Sequence, residues 1–121
     1  MSVFDASAML ALLFQEPGSE LVEQRLPQGG VCGAANWAEV AQKCRARGKN
    51  WFEARQALLS FPLTIEPVTA ADAELAAEMW HRGEGLSLAD RLCLALGIRL
   101  GAEVLSADQA WAGREGVIVI R

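Results

Sequence analysis

Ser87-Leu88-Ala89-Asp90-Arg91-Leu92-Cys93-Leu94-Ala95-Leu96-Gly97-Ile98-Arg99-Leu100-Gly101-Ala102-Glu103-Val104-Leu105-Ser106 reads as a helix that feeds directly into a strand. Ser87 with Asp90 three residues on has capping-box spacing, and the apolar residues that follow recur at helical intervals until Gly101 closes the run. Glu103 to Ser106 is then short, apolar and strand-like. The same alternation extends outward in both directions. A strand near Ser2–Phe4 precedes helical runs over Ser7–Phe14 and Ser19–Leu26, separated by Glu16-Pro17-Gly18. Beyond the turn Pro27-Gln28-Gly29-Gly30 comes a candidate strand at Val31–Gly33. Helices over Asn36–Arg47 and Trp51–Ser60 follow, then a strand at Thr64–Glu66. Thr69-Ala70-Ala71-Asp72 opens an alanine-rich helix to about His81, and the tail gives a helical turn at Gln109–Ala112 and a last strand at Val117–Ile120. Strands alternating with helices of this length predict a three-layer α/β/α sandwich around a mostly parallel sheet of four or five strands.

At 121 residues, 52% of them hydrophobic, the chain suffices for one packed core and is short for two, so residues 1–121 are read as a single domain. Its longest apolar run, Ala8–Phe14, falls far short of the roughly 20 residues that a membrane span requires. Asp5 also interrupts the start where a signal peptide would be apolar, so the expected location is the cytoplasm, away from membranes. Three widely spaced cysteines, Cys32, Cys44 and Cys93, match no zinc-ligand pattern and read as reduced, structural thiols.

Four acids carry the chemical reading. Asp5 follows the first strand, Asp108 follows the strand Glu103–Ser106, and Glu39 and Asp90 lie early in amphipathic helices. In open α/β sheets the ligand crevice lies at the carboxyl ends of the strands. Convergence of these carboxylates there would make an oxygen-rich pocket for a hard divalent cation such as Mg2+ or Mn2+, with no histidine or cysteine needed. Each acid taken alone also suits a helix start, Asp90 and Asp108 most plainly. Together they predict a site, because clustered like charges raise one another's pKa unless a cation neutralises them. Ser7 and Ser106 flank the same strand ends and are candidates to support a carboxylate or to cap and turn the chain. Asn36 reads as a helix N-cap or, alternatively, as a polar lining group.

The net charge of −4 equals that of the four acids, since the other eleven acidic residues balance eleven Lys and Arg. Five of those cations, Lys43, Arg45, Arg47, Lys49 and Arg55, fall within thirteen positions that also hold Trp51. Such a segment can follow a nucleic-acid backbone, and its plainer reading is a solvated helix face with Glu39 and Lys43 one turn apart.

Four segments, Val3-Phe4-Asp5-Ala6-Ser7-Ala8, Asn36-Trp37-Ala38-Glu39-Val40, Leu86 to Leu96 and Val104 to Trp111, resemble in order those of the PIN domain, and within it the VapC toxins. The resemblance implies a Mg2+- or Mn2+-dependent endoribonuclease with Asp5, Glu39, Asp90 and Asp108 as its acidic quartet. It implies also an RNA substrate, a homodimer and a cognate antitoxin that covers the groove. Ser106 stands where many relatives carry Thr, which keeps the hydroxyl. A receiver domain is disfavoured by the lack of any lysine after Lys49, and a haloacid-dehalogenase-type phosphatase by Ser7 where it needs a second Asp. The glycines also lack P-loop and dinucleotide spacing. The remaining alternative is a binding module of this fold that has lost turnover.

Overall fold

The computed structural model describes all 121 residues. Five strands, β1 (Ser2–Phe4), β2 (Gly30–Gly33), β3 (Leu63–Glu66), β4 (Val104–Ser106) and β5 (Val117–Val119), form one sheet in the order β3-β2-β1-β4-β5. Every adjacent pair is parallel. The helices are α1 (Ala6–Leu13), α2 (Ser19–Arg25), α3 (Ala34–Ala46), α4 (Trp51–Leu59), α5 (Ala70–Glu78) and α6 (Leu88–Leu100). None is long and apolar enough to cross a membrane.

Alternation along the strands sorts the core into two layers. Phe4, Cys32 and Leu105 pack with Met9, Val22, Val40 and Leu58 from α1 to α4. Their neighbours Val3, Val31 and Val104 pack instead with Cys93, Leu94 and Leu96 of α6 and with Trp111. Successive strand residues face opposite ways, so three buried strands can serve two helical layers at once. The predicted three-layer sandwich is the observed architecture, and the sheet is wholly parallel.

Strand order locates the crevice. The chain moves from β1 to β2 and β3 on one side, then returns to place β4 and β5 on the other, so the order reverses between β1 and β4. Ligands of doubly wound folds bind outside the strand ends at such a reversal. Asp5 follows β1 directly, and Asp108 lies two residues beyond β4.

Some boundaries differ from the sequence reading. Helix α3 begins at Ala34 after Gly33 as N-cap, two residues before Asn36. Asn36 is therefore inside the helix and buried, which corrects its reading as a cap. Ser19 is the first residue of α2 and makes no cap, because Gly18 precedes it in the left-handed conformation against Ile120, where a Cβ would lie 2.6 Å from the isoleucine side chain. The alanine-rich helix α5 stops at Glu78, leaving His81 exposed beyond it.

Candidate active site

Asp5 is the N-cap of α1, and only 4% of its surface is exposed. Three donors hold it: the Ala8 N–H at 2.8 Å and the Ser7 hydroxyl at 2.7 Å donate to Oδ1, and the Ser106 hydroxyl donates to Oδ2 at 2.6 Å. Both serines are tied in turn to the loop after β4. Ser7 Oγ accepts from the Ala107 N–H at 2.8 Å, and Ser106 Oγ accepts from the Asp108 N–H at 3.1 Å. The two hydroxyls lie 3.3 Å apart. Each has one proton, and both protons are directed at Asp5, so the pair forms a fixed cradle for one carboxylate.

No basic side chain answers the charge of Asp5. None of the ion pairs in the molecule includes Asp5, Glu39, Asp90 or Asp108. Burial pushes the Asp5 carboxyl above its ordinary range, the bonds from Ser106, Ala8 and Ser7 pull it down, and the charge of Asp90 adds to the rise. Glu39, half-buried on α3, is also raised. Its burial is the main cause, Lys43 one turn on opposes it, and Asp90 and Asp5 reinforce it. Asp5, Glu39 and Asp90 thus share one electrostatic neighbourhood although they come from β1, α3 and α6.

Asp90 closes the predicted capping box of α6. Its Oδ2 accepts from the Ser87 N–H at 2.9 Å while its own N–H donates to Ser87 Oγ at 3.0 Å. Asp108 is exposed, caps the turn Gln109–Trp111 and accepts from the Ala110 N–H at 2.9 Å. Its charge does not figure among those acting on Asp5 or Glu39. The structure therefore couples three of the four acids, and joins Asp108 to them only through its backbone bond to Ser106. No three His, Cys, Asp or Glu side chains lie close enough to hold an ion as they stand. Each aspartate turns at least one oxygen to a nearby N–H or O–H donor.

The donor set still suits a hydrated Mg2+ or Mn2+. Such ions take carboxylate oxygens, keep several waters and need only one or two protein carboxylates. Asp90 and Asp108 each commit only one oxygen to a cap, and a bound cation would favour the charged forms of Asp5 and Glu39 that burial chiefly disfavours.

Asn36 Nδ2 donates to the Ala89 carbonyl at 3.4 Å, so this buried amide ties α3 to the turn of α6 that carries Asp90. The basic segment does not act as a unit. Lys43 stands beside Glu39, and Arg47 pairs with Glu16 at 3.7 Å and lies 4.4 Å over the Phe14 ring. Arg45, Lys49 and Arg55 instead line a shallow recess with Trp51 and Phe52. Phe52 was not singled out in the sequence; the signal available was an aromatic residue beside Trp51 on the outer face of α4.

Residues 2–115 match the family model described as the PIN domain. Comparison with curated proteins finds no match. Among solved structures, the fold is similar to a toxin-antitoxin complex from Klebsiella pneumoniae, with TM-score 0.82 and 19% identity over 100% of this chain and 98% of that one. It is similar also to VapC20 of Mycobacterium tuberculosis, described as a sarcin-ricin loop cleaving toxin, with TM-score 0.74 and 19% identity over 97% and 98% of the two chains. A third is VapBC2 from Rickettsia felis bound to a DNA fragment from their promoter, with TM-score 0.67 and 15% identity over 97% and 95%.

Proposed function

The chain belongs to the PIN domain family, and from that premise we propose that it is a Mg2+- or Mn2+-dependent endoribonuclease, the toxin of a toxin-antitoxin pair. The observation that carries the reading is Asp5, a buried carboxylate at the sheet's reversal point, held by three donors and answered by no basic side chain. A bound divalent ion would supply the activated water and neutralise charge on the phosphodiester. Asp5 and Asp90 are its proposed principal ligands, with Glu39 and Asp108 completing the acidic set.

The remaining residues act by position. Ser7 and Ser106 fix the Asp5 carboxylate so that its oxygens cannot rotate out of the crevice, and Ser87 holds Asp90 by its cap. Asn36 keeps the first turn of α6 against α3. Glu39, half-buried on α3, has its carboxyl raised chiefly by burial and further by Asp90 and Asp5, the position in which a nearby cation would restore its charge. Asp108 stands at the exposed rim, where a ligand water or the RNA would meet it. The toxin assignment, the antitoxin partner and the RNA substrate rest on the fold relatives, one of which is described as cleaving the sarcin-ricin loop. A homodimer belongs to the same reading.

A second reading, a binding module without turnover, is favoured by one observation: the acids form no closed ligand cluster. Cleavage separates the two. Purified protein incubated with single-stranded and structured RNA should cut in Mg2+ or Mn2+, stop on chelation, and fall to background in Asp5→Asn and Asp90→Asn. Intact RNA under all metal conditions would select the binding module, and undiminished cleavage by Asp5→Asn would remove Asp5 from the mechanism.

A further inference from the structure

Positive charge on this acidic chain is unevenly used. Arg25, Arg47, Arg99, Arg114 and Arg121 all pair with carboxylates. Arg45, Lys49 and Arg55 form no ion pair, yet they meet around one open recess of about 510 Å3 that also includes Asn50, Trp51 and Phe52. Glu53, the segment's own carboxylate, lines the adjoining groove against α1, which Lys49 and Asn50 also border, and Lys49 Nζ lies 5.4 Å over the Phe14 ring. Phe52 is 64% exposed at the recess, so its ring face is open to a ligand.

An exposed ring ringed by unpaired cations matches one kind of ligand. Unpaired bases stack on aromatic faces while their phosphates take the cations, and the stack accepts any base because each has a π face. One contact links the recess to the helix that carries Glu39. Trp51 lines it and meets Trp37 edge to face with ring centroids 5.0 Å apart, and Trp37 lies two residues before Glu39. Along α3, the six residues from Glu39 to Arg45 cover about 9 Å.

We propose that the Phe52 recess is a subsite for single-stranded RNA outside the acidic crevice, Phe52 stacking an unpaired base and Arg45, Lys49 and Arg55 holding the flanking phosphates. Its connection to the crevice rests on the nuclease reading; its capacity to bind RNA does not. Lys43, one turn from Glu39, and Arg47, paired with Glu16, do not line the recess and are outside the subsite.

The test is fluorescence anisotropy with a labelled twelve-nucleotide single-stranded RNA and the full chain in chelator, so that no turnover occurs. Phe52→Ala should weaken binding about tenfold, consistent with the loss of one stacked base. Arg45→Ala/Arg55→Ala should weaken it and flatten the plot of log affinity against log salt by about 1.4, for two phosphate contacts on a single strand. Trp80→Ala, an exposed aromatic elsewhere, should bind as wild type. In metal, Phe52→Ala should raise KM and leave kcat unchanged. Wild-type affinity in both recess variants, or uptake of poly-glutamate in place of RNA, would overturn the subsite. Loss of binding in Phe52→Ala with no cleavage by any form would uphold the subsite and sink the nuclease. Cleavage with unchanged KM in Phe52→Ala would do the reverse.

Discussion

At the scale of single residues, Asp5 sets function against stability. It is nearly inaccessible to solvent, and its net shift is upward despite three donors. Asp5→Asn keeps the shape and removes the charge. We predict that it raises the metal-free melting temperature by a few degrees, as a gain near 1 kcal/mol gives in a domain this small, while abolishing cleavage. A lower metal-free melting temperature, measured calorimetrically, would show that the charge helps hold the fold. Ser106→Ala removes one of the two cradle hydroxyls and should reduce cleavage about 10–100-fold, the cost of losing support behind a metal ligand. Unchanged cleavage would show that Asp5 is held well enough without it. Asp5 was legible as a capping acid directly after an apolar strand, and Asp108 as a capping acid two residues beyond one. Asn36 was not: Gly33 can cap as well as Asn, and which of two nearby residues starts a helix depends on packing against α6.

At the scale of elements, α6 bears the site. Gly97 lets it approach β4 closely, since a Cβ there would lie 2.5 Å from Cγ2 of the buried, stiff Val104 side chain. Gly97→Ala should therefore destabilise by about 1–3 kcal/mol despite alanine's better helix propensity, and shift Asp90. A chemical denaturation midpoint at or above wild type would contradict this. At its other end Arg99 grips Asp72 at 2.8 and 3.1 Å and approaches Glu66 at 3.6 Å, fastening α6 to α5 and β3. Hydrogen bonds from Arg99 are the chief reason that the Asp72 carboxyl sits below its ordinary range. A lowered carboxyl stabilises above its unfolded pKa, and that stability is lost as pH falls through the folded one. Arg99→Gln should destabilise the fold at neutral pH, with the deficit shrinking below about pH 3.8. A deficit that persists there would assign the cost to packing. The α6 start was legible in Ser87 and Asp90, whereas the Arg99–Asp72 clasp joins residues 27 positions apart and no local pattern announces it.

At the scale of the whole molecule, the reversal of strand order between β1 and β4 brings distant carboxylates into one electrostatic neighbourhood. Alternating strand and helix patterns were enough to foresee the layers and a mostly parallel sheet. They could not give the strand order, which depends on which helices cover which face, nor the sorting of five neighbouring cations into three environments. Asp5 and Glu39 are raised, so the folded state carries a penalty at neutral pH that fades as pH falls toward 3.8 and 4.5. Metal-free melting temperature should thus rise on mild acidification, and the stabilisation by millimolar Mg2+ should shrink over the same range as protons displace the ion. The most direct measurement is Mn2+ anomalous diffraction from crystals of the protein at saturating metal. An anomalous peak between Asp5 and Asp90, absent in Asp5→Asn crystals, is the predicted result. Well-ordered crystals with no manganese within coordinating distance of Asp5 would contradict the account.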